Sequence, residues 1–260
     1  MTRATDLLSA QPFEAAFLGG PAFQLPWPTA FDSAGLADDL GEIVAWVRRT
    51  GARLVTARVP ATAGAVCDAL SAAGFILVER LLTLERPAAE AAPFPPGVAY
   101  GGADAAEACA AIAGAAFRQD RFHADRRIDP AAATAIKAAW VRNGFAGRAE
   151  SCLVARGEGG AVEGFLLTLR RGDAVVIDLV AVAPDRQGQG VGRRLMEAVL
   201  SHAAATGACR VRVGTQADNE ISLRLYRQSG FAPVADFATF HFIPEPFSVS
   251  RSLAGEGRAP

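Results

Sequence analysis

The hexapeptide QGQGVG, Gln187 to Gly192, alternates glycine with other residues and runs straight into the amphipathic stretch VGRRLMEAVL. A glycine loop that opens a helix offers unpaired backbone N–H groups and the positive end of the helix dipole, which together suit an anion. Side chains at Gly188, Gly190 and Gly192 would obstruct the approach of phosphate oxygens. The plainer reading is a tight strand-to-helix turn, which seldom needs three glycines. Two other phosphate loops do not fit. The pattern G-x-x-x-x-G-K-[ST] fails because Arg193 and Arg194 follow the loop. A dinucleotide fingerprint wants an acid closing the next strand, and 209–214 ends in Gly214. Metal chemistry has no ligand spacing behind it: His123, His202 and His241 stand apart, and the four cysteines form no C-x-x-C pair and read as reduced, mostly buried thiols.

The elements that must carry this loop are legible from periodicity. Val98–Tyr100 reads as a short strand, Asp104 caps a helix to about Phe117, and 118–129 is a charged loop. Pro130 opens a helix to about Arg142. Three apolar runs follow at 151–155, 161–169 and 174–182, the last two joined by the turn RRGD. After the glycine loop come a helix (about 191–206), a strand (209–214), a helix (218–229) and two strands, 231–235 and 237–243. The order β-α-α-β-β-β-α-β-α-β-β predicts an α/β fold with a mixed sheet and helices packed on it.

The Ala/Pro-rich stretch 87–97 reads as a linker between residues 1–86 and 98–246, with a flexible polar tail over 247–260. A shift of 156 residues lays GARLVTARV (51–59) on GACRVRVGT (207–215) and LSAAGFILVERLLTL (70–84) on YRQSGFAPVADFATF (226–240). Gly51/Gly207, Gly74/Gly230, Phe75/Phe231, Val78/Val234 and Thr83/Thr239 then coincide. The glycine loop has no counterpart, since 31–36 reads FDSAGL, and Leu70 stands opposite Tyr226. The first half is expected to be a degenerate copy that kept a strand–helix–strand scaffold and lost its phosphate loop.

Composition narrows the partners. The 260 residues are 51% hydrophobic with a net charge of −1, enough for a core and without the bulk field that would favour nucleic acid or an anionic membrane. Of 26 basic residues only Lys137 is a lysine. The sequence has neither an 18-residue apolar run nor a signal-like start, so a cytoplasmic location is expected.

The loop pattern Gln-x-x-Gly-x-Gly after a strand ending IDLVAVAP, together with DNEISLRLYRQSGF downstream, resembles the Gcn5-related N-acetyltransferase superfamily. In that superfamily the loop cradles the pyrophosphate of acetyl-coenzyme A and the preceding strand holds its pantetheine arm. The resemblance therefore implies that Val180, Ala181, Val182, Gln187, Gly188, Gln189, Gly190, Val191, Gly192 and Asn219 bind the donor. Strand amides around Val180 to Val182 would polarise the thioester carbonyl. Tyr226 is the candidate acid for the leaving thiolate, a transfer uphill by about 2 kcal/mol at unperturbed pKa values; packing alone is the other reading. Asn219 is either a pantetheine ligand or a helix cap. The amine must lose a proton before attack, and the candidates are Glu79, Asp125, His123 and Asp178. Glu79 and Asp178 also read as solvent-side strand residues.

Further stretches, PFEAAFLGGPAFQL, ALSAAGFILVERLLTL, AAFRQDRFHAD and the ending from Val213, resemble the dTDP-fucosamine acetyltransferases. These acetylate the 4-amino group of a dTDP-linked 4,6-dideoxy sugar for surface polysaccharide. The likeness implies Tyr226 as acid, Glu79 as a base acting through water, and Arg118, Arg121, Phe122 and His123 in the acceptor segment. It also implies a possible homodimer. The rival readings are an acetyltransferase for a protein N-terminus, a polyamine or another small amine, and a non-catalytic acyl-coenzyme A sensor.

Overall fold

Residues 4–26, 35–88 and 92–244 are described by the computed structural model. The first half supplies β1 (Ser9–Ala10), α1 (Pro12–Leu18), β2 (Ala22–Leu25), α2 (Leu36–Thr50), β3 (Leu54–Pro60), α3 (Gly64–Ala72) and β4 (Ile76–Pro87). The second supplies β5 (Val98–Tyr100), α4 (Ala106–Ala116), α5 (Arg121–Ala124), α6 (Pro130–Asn143), β6 (Ser151–Arg156), β7 (Val162–Arg171), β8 (Ala174–Val182), α7 (Val191–Ala205), β9 (Arg210–Gln216), α8 (Glu220–Gln228) and β10 (Ala232–Phe242). The expected tail, the centre of the linker and most of the FDSAGL stretch lie outside the described residues.

Local chemistry explains where several of these begin. Pro130 occupies the first turn of α6, and the Asp129 carboxylate accepts from the Ala131 N–H at 2.9 Å. Three expectations are corrected. The charged loop 118–129 contains α5, because Asp120 accepts from the Phe122 N–H (3.1 Å) and caps a short turn. Asp104 caps nothing; its carboxylate goes to Arg156 at 2.9 Å, and α4 opens through a 3-10 turn. The two final strands are one, since Asp236 pairs with Leu82 inside the ladder and the chain does not turn there.

The ten strands of the described residues form one mixed sheet in the order β1-β2-β3-β10-β4-β9-β8-β7-β6-β5. Its middle is a reciprocal insertion: β10 lies between β3 and β4, and β4 lies between β10 and β9. The 156-residue shift organises this region. β3 and β9, and likewise α3 and α8, begin and end 156 residues apart. Leu81 pairs with Phe237, its own equivalent, so a local two-fold axis passes between them. The two ladder irregularities in the pair skip Val78 on one strand and Val234 on the other, again equivalent positions. Arg80 forms an ion pair with its equivalent, Asp236.

Strand alternation sends α2, α3, α7 and α8 to one face of the sheet. There α2 packs Leu40, Ile43 and Val47 on Val55 and Phe240, while α7 packs Leu195 and Val199 on Val175 and Val211. The opposite face carries α1, α4, α5 and α6, with Cys109 and Ala113 on Phe165 and Leu179, and with Phe122 and Ile136 on Ala22 and Leu54.

This insertion predicts how the chain fails when cut. A fragment starting at residue 92 loses β4, baring the facing edges of β9 and β10 and the apolar surface around Leu84, which is fully buried. The fragment is expected to aggregate in size-exclusion chromatography, while the full chain unfolds in one transition by circular dichroism; a monomeric, folded fragment would contradict the insertion.

Candidate active site

An extra residue in β8 creates the opening. Opposite β7, Leu167 pairs with Leu179 and Thr168 with Ile177, so Asp178 bulges out. The parallel ladder with β9 stops at the same place: it runs from Ala174↔Arg210 to Ile177↔Val213 and no further. Both strands continue, β8 to Val182 and β9 to Gln216. From Asp178 to Val182 the β9-facing side of β8 therefore has no ladder partner, and alternate backbone groups there face a slot. Val180, Ala181 and Val182 lie on this parted stretch. The bulge itself is clamped: the Asp178 carboxylate accepts from Trp140 Nε1 (3.0 Å) and from both terminal nitrogens of Arg148 (2.6 and 3.2 Å).

The glycine loop ends beside that slot. The α7 hydrogen-bond ladder begins with the Arg194 N–H on the Gly190 carbonyl (3.1 Å), so Val191, Gly192 and Arg193 present the open first turn. No side chain caps it and no acid lies in it. Gly188 (φ 75°) and Gly190 (φ 82°) are left-handed, with open space where a Cβ would stand. Amides, helix dipole and free volume fit the diphosphate of a ligand threaded along β8. Gly192 has another reason: a Cβ there would lie 3.2 Å from Leu225 Cδ2, so it lets α7 close on α8. The side chains of Gln187 and Gln189 brace the loop on the carbonyls of Val182 (3.3 Å) and Asp185 (2.9 Å).

Tyr226 comes from α8, whose amphipathic face buries Leu223 and Tyr226. Its ring packs near Phe231, 5.9 Å between centroids. Burial pushes the phenol well above the usual tyrosine range, offset in part by a hydrogen bond with Ser222 one turn earlier. The Asn219 side-chain oxygen Oδ1 caps α8 by accepting from the Ser222 N–H (3.2 Å).

The other face of the sheet carries the acids. Glu79, on β4, is buried, and both its oxygens are engaged. Oε1 accepts from Arg58 (3.0 Å) and Thr239 (3.2 Å), and Oε2 accepts from Gln216 (2.9 Å) at the end of β9. The solvent-side reading of Glu79 and Asp178 is therefore overturned. Glu79 reaches the edge of the slot only because β4 is inserted beside β9. Gln216 and Arg58, which sequence reasoning missed, hold it; a lone arginine in the apolar run LVTARVP was the available signal.

The expected acceptor segment divides. Arg121 pairs with Glu14 of α1 (3.2 Å) and lies over Phe122 (4.6 Å to the ring centroid). Phe122 is buried in the core, its ring 6.2 Å from that of His241, so its expected place among the acceptor-facing residues is corrected. His123 has both ring nitrogens engaged, with Asp120 (2.6 Å) and Thr134 (3.3 Å). Arg118 turns back onto the carbonyls of Gly114 (3.0 Å) and Phe117 (3.3 Å), away from Arg121. Burial would raise the Asp125 carboxyl, but hydrogen bonds from His241 and Arg127 outweigh it and hold the group far below the ordinary range. Lys137 sits buried among Phe117, Phe122 and Trp140, 3.6 Å from Asp120. Burial pushes the thiols of Cys109 and Cys152 up, to about 12 and about 11, which suits inert thiols. Among the described residues no cluster has a metal-ligand set, and no helix is long and apolar enough to cross a membrane.

Residues 114–231, which span the slot, the open turn and Tyr226, match the acetyltransferase (GNAT) family. A dTDP-fucosamine acetyltransferase of Escherichia coli O6:H1 is 33% identical over 182 residues, covering 68% of this chain and 75% of that protein. The spore coat polysaccharide biosynthesis protein SpsD of Bacillus subtilis is 31% identical over 138 residues, 53% of this chain and 47% of its own length, so the chain spans about half of that relative. Among solved structures, a GCN5-related N-acetyltransferase from Sphaerobacter thermophilus shares the fold, with TM-score 0.65 over 92% of this chain and 76% of that one at 14% identity. A relative one-third identical, three quarters of which this chain covers, shows the family: the chain belongs to the GNAT acetyltransferases, N-acetyltransferases whose acyl donor is acetyl-coenzyme A.

Proposed function

We propose that this enzyme transfers acetyl from acetyl-coenzyme A directly to the amine of a nucleotide-linked amino sugar destined for surface polysaccharide. The observation that carries the donor side is the parting of β8 from β9 at the Asp178 bulge, beside the open turn of α7. The names of the two relatives support the acceptor side. Residues 1–86 act as a degenerate acetyltransferase-like half, a reading supported by the 156-residue correspondence of elements. In that half β2 stays paired with β3 along its whole length, from Ala22↔Leu54 to Leu25↔Ala57, so the described residues show no second parting of that kind.

In this reading the amides of Val191, Gly192 and Arg193 hold the diphosphate, and the loop from Gln187 to Gly190 shapes the cradle. The unpaired groups of Val180 to Val182 align the pantetheine arm and polarise the thioester carbonyl. Tyr226 gives its proton to the departing thiolate, and the Asn219 side chain, besides capping α8, steadies the arm. Glu79 takes the amine proton through water. Its ties to Arg58, Thr239 and Gln216 fix where that water sits. Arg121 orients the acceptor. The chemistry is direct, with no cysteine intermediate, in keeping with the raised thiols of Cys109 and Cys152.

The test is a thiol-release assay over dTDP-, UDP- and GDP-linked amino sugars, with spermidine and a peptide amine as controls; turnover confined to the controls would overturn the acceptor assignment. Tyr226→Phe is expected to lower kcat by about a hundredfold or more, the scale of general acid catalysis, with acetyl-coenzyme A affinity nearly intact. Because burial keeps the phenol protonated past its usual value, its ionisation is expected to cause no loss of kcat below about pH 10. Gly190→Leu forces a left-handed L residue into the cradle, so calorimetry is expected to show coenzyme A binding weakened about tenfold or more. The same titration of the unaltered chain is expected to give one site per chain.

A further inference from the structure

The face of the sheet that carries Glu79 also holds a histidine that the proposed reaction leaves unused. His241, on β10, is fully buried, and its Nδ1 lies 3.0 Å from Oδ2 of Asp125, in the turn after α5. Asp125 is ionised and is also held by Arg127, whose Nε and Nη2 reach its two oxygens at 2.9 and 2.8 Å. An ionised carboxylate only accepts, so Nδ1 carries the ring proton and Nε2 keeps a bare lone pair. Among the described residues Nε2 has no hydrogen-bond partner, although it is shut away from solvent. Buried nitrogens are ordinarily satisfied, and the small donor that completes such a lone pair inside a protein is water.

Strand geometry ties this lone pair to Glu79. Thr239 and His241 lie two residues apart on β10, and Phe240 between them is turned into the core under α2, so both side chains stand on the Glu79 face. Thr239 is the ladder partner of Glu79, and its hydroxyl donates to Oε1 at 3.2 Å. About 7 Å of strand separates His241 from that contact. The charged groups around the ring are Asp125 and Arg127 from the turn, Arg121 from α5, Glu79 from β4 and Arg58 from β3. Glu14 of α1 and Lys137 of α6 stand next to Arg121 and Phe122, paired with Arg121 and Asp120. Of the partners of Glu79 and His241, none can take up a proton: the guanidiniums are already protonated, Asp125 is held far below the ordinary range, and Thr239 and Gln216 are neutral. The imidazole can. Burial and Arg121 pull it below its usual range against Asp125 and Glu79, so at neutral pH the ring is uncharged and its lone pair is free.

We propose that the Asp125–His241 pair is a proton store behind Glu79: the Nε2 lone pair receives the acceptor's proton during the reaction and returns it to solvent when the products leave. The ammonium N–H bond breaks with its electron pair left on nitrogen for the attack, and water carries the proton to Glu79. A second water gives a proton to Nε2 and takes that one from Glu79. The imidazolium so formed faces the Asp125 carboxylate. His241 touches neither substrate and acts through Glu79 and water, so the inference rests on the reading of Glu79 as the base.

The first experiment uses the unaltered chain. It has three histidines, and ring-nitrogen NMR after 15N-histidine labelling, assigned by replacing His123 and His202 in turn, reads each tautomer. His241 is expected as the neutral Nδ1–H form at neutral pH; an Nε2–H tautomer or an imidazolium overturns the store. The second is kinetic, with whichever amine of the thiol-release assay is turned over fastest. His241→Asn keeps an amide donor where Nδ1 reaches Asp125 and removes Nε2. It is expected to lower kcat/KM by about tenfold or more at neutral pH, with coenzyme A affinity unchanged. The deficit is expected to shrink as pH rises to about 9, where more of the amine arrives already neutral. No loss, or a loss equal at every pH, overturns the store, since a structural fault does not follow the acceptor's charge. Where this variant does not fold, the tautomer decides. Glu79→Gln separates the two readings. If it removes turnover while His241→Asn matches the unaltered chain at every pH, the store falls and Glu79 stands. If it leaves turnover intact while His241→Asn keeps its pH-dependent deficit, Glu79 falls and the proton reaches His241 through water alone.

Discussion

One additional residue in a strand governs this molecule. Parallel β8 and β9 would continue side by side, but Asp178 has no counterpart on β7, and the strand bends out of the β9 ladder at that residue. A sheet interior with unmet hydrogen-bonding groups is costly unless something completes it. In the proposed reaction that something is the extended arm of the donor, for which the unpaired stretch of β8 beside the open turn of α7 has the length and the free groups. The carboxylate at the bulge is fixed by Trp140 and Arg148, so the bend is held from the face that carries α6. Losing one partner of that clamp would leave a largely buried charge short of its compensation.

The second constraint is the exchange of β4 and β10. A strand from the first half, between two from the second, carries Glu79 to the edge of the slot and supplies the neighbour that Gln216 needs to reach it. In the proposed reaction the acid and the phenol act from opposite faces, Glu79 on the side of the sheet that carries α5 and α6 and Tyr226 on α8 on the other. Their separation by the sheet suits a reaction in which one group takes a proton from the amine and another gives one to the thiolate.

Much of this was legible in the sequence. The glycine loop, the helix of Tyr226 and the 156-residue correspondence come from residue type and period, which local geometry enforces directly. Alternation could not tell whether a strand acid faces solvent: Glu79 and Asp178 look alike in sequence whether wet or held by an arginine. Long-range pairings settle that, and the partners Arg58, Arg148 and Gln216 lie far away along the chain. Phe122 was misread for the same reason, since an aromatic between Arg121 and His123 looks exposed until Asp120 caps the turn that buries it. The final strand was divided at Asp236 because an acid in an apolar run resembles a turn; its pairing with Arg80 removes that need.

The asymmetry between the halves follows from the same geometry. The equivalent of the β8–β9 slot would lie between β2 and β3, but among the described residues those strands remain paired along all of β2, without the parting seen at Asp178. A closed ladder leaves its side chains on a continuous surface. Because β4 and β10 are exchanged, the two halves meet in one hydrogen-bonded ladder, and the place of Glu79 beside the end of β9 is set by strand pairing alone.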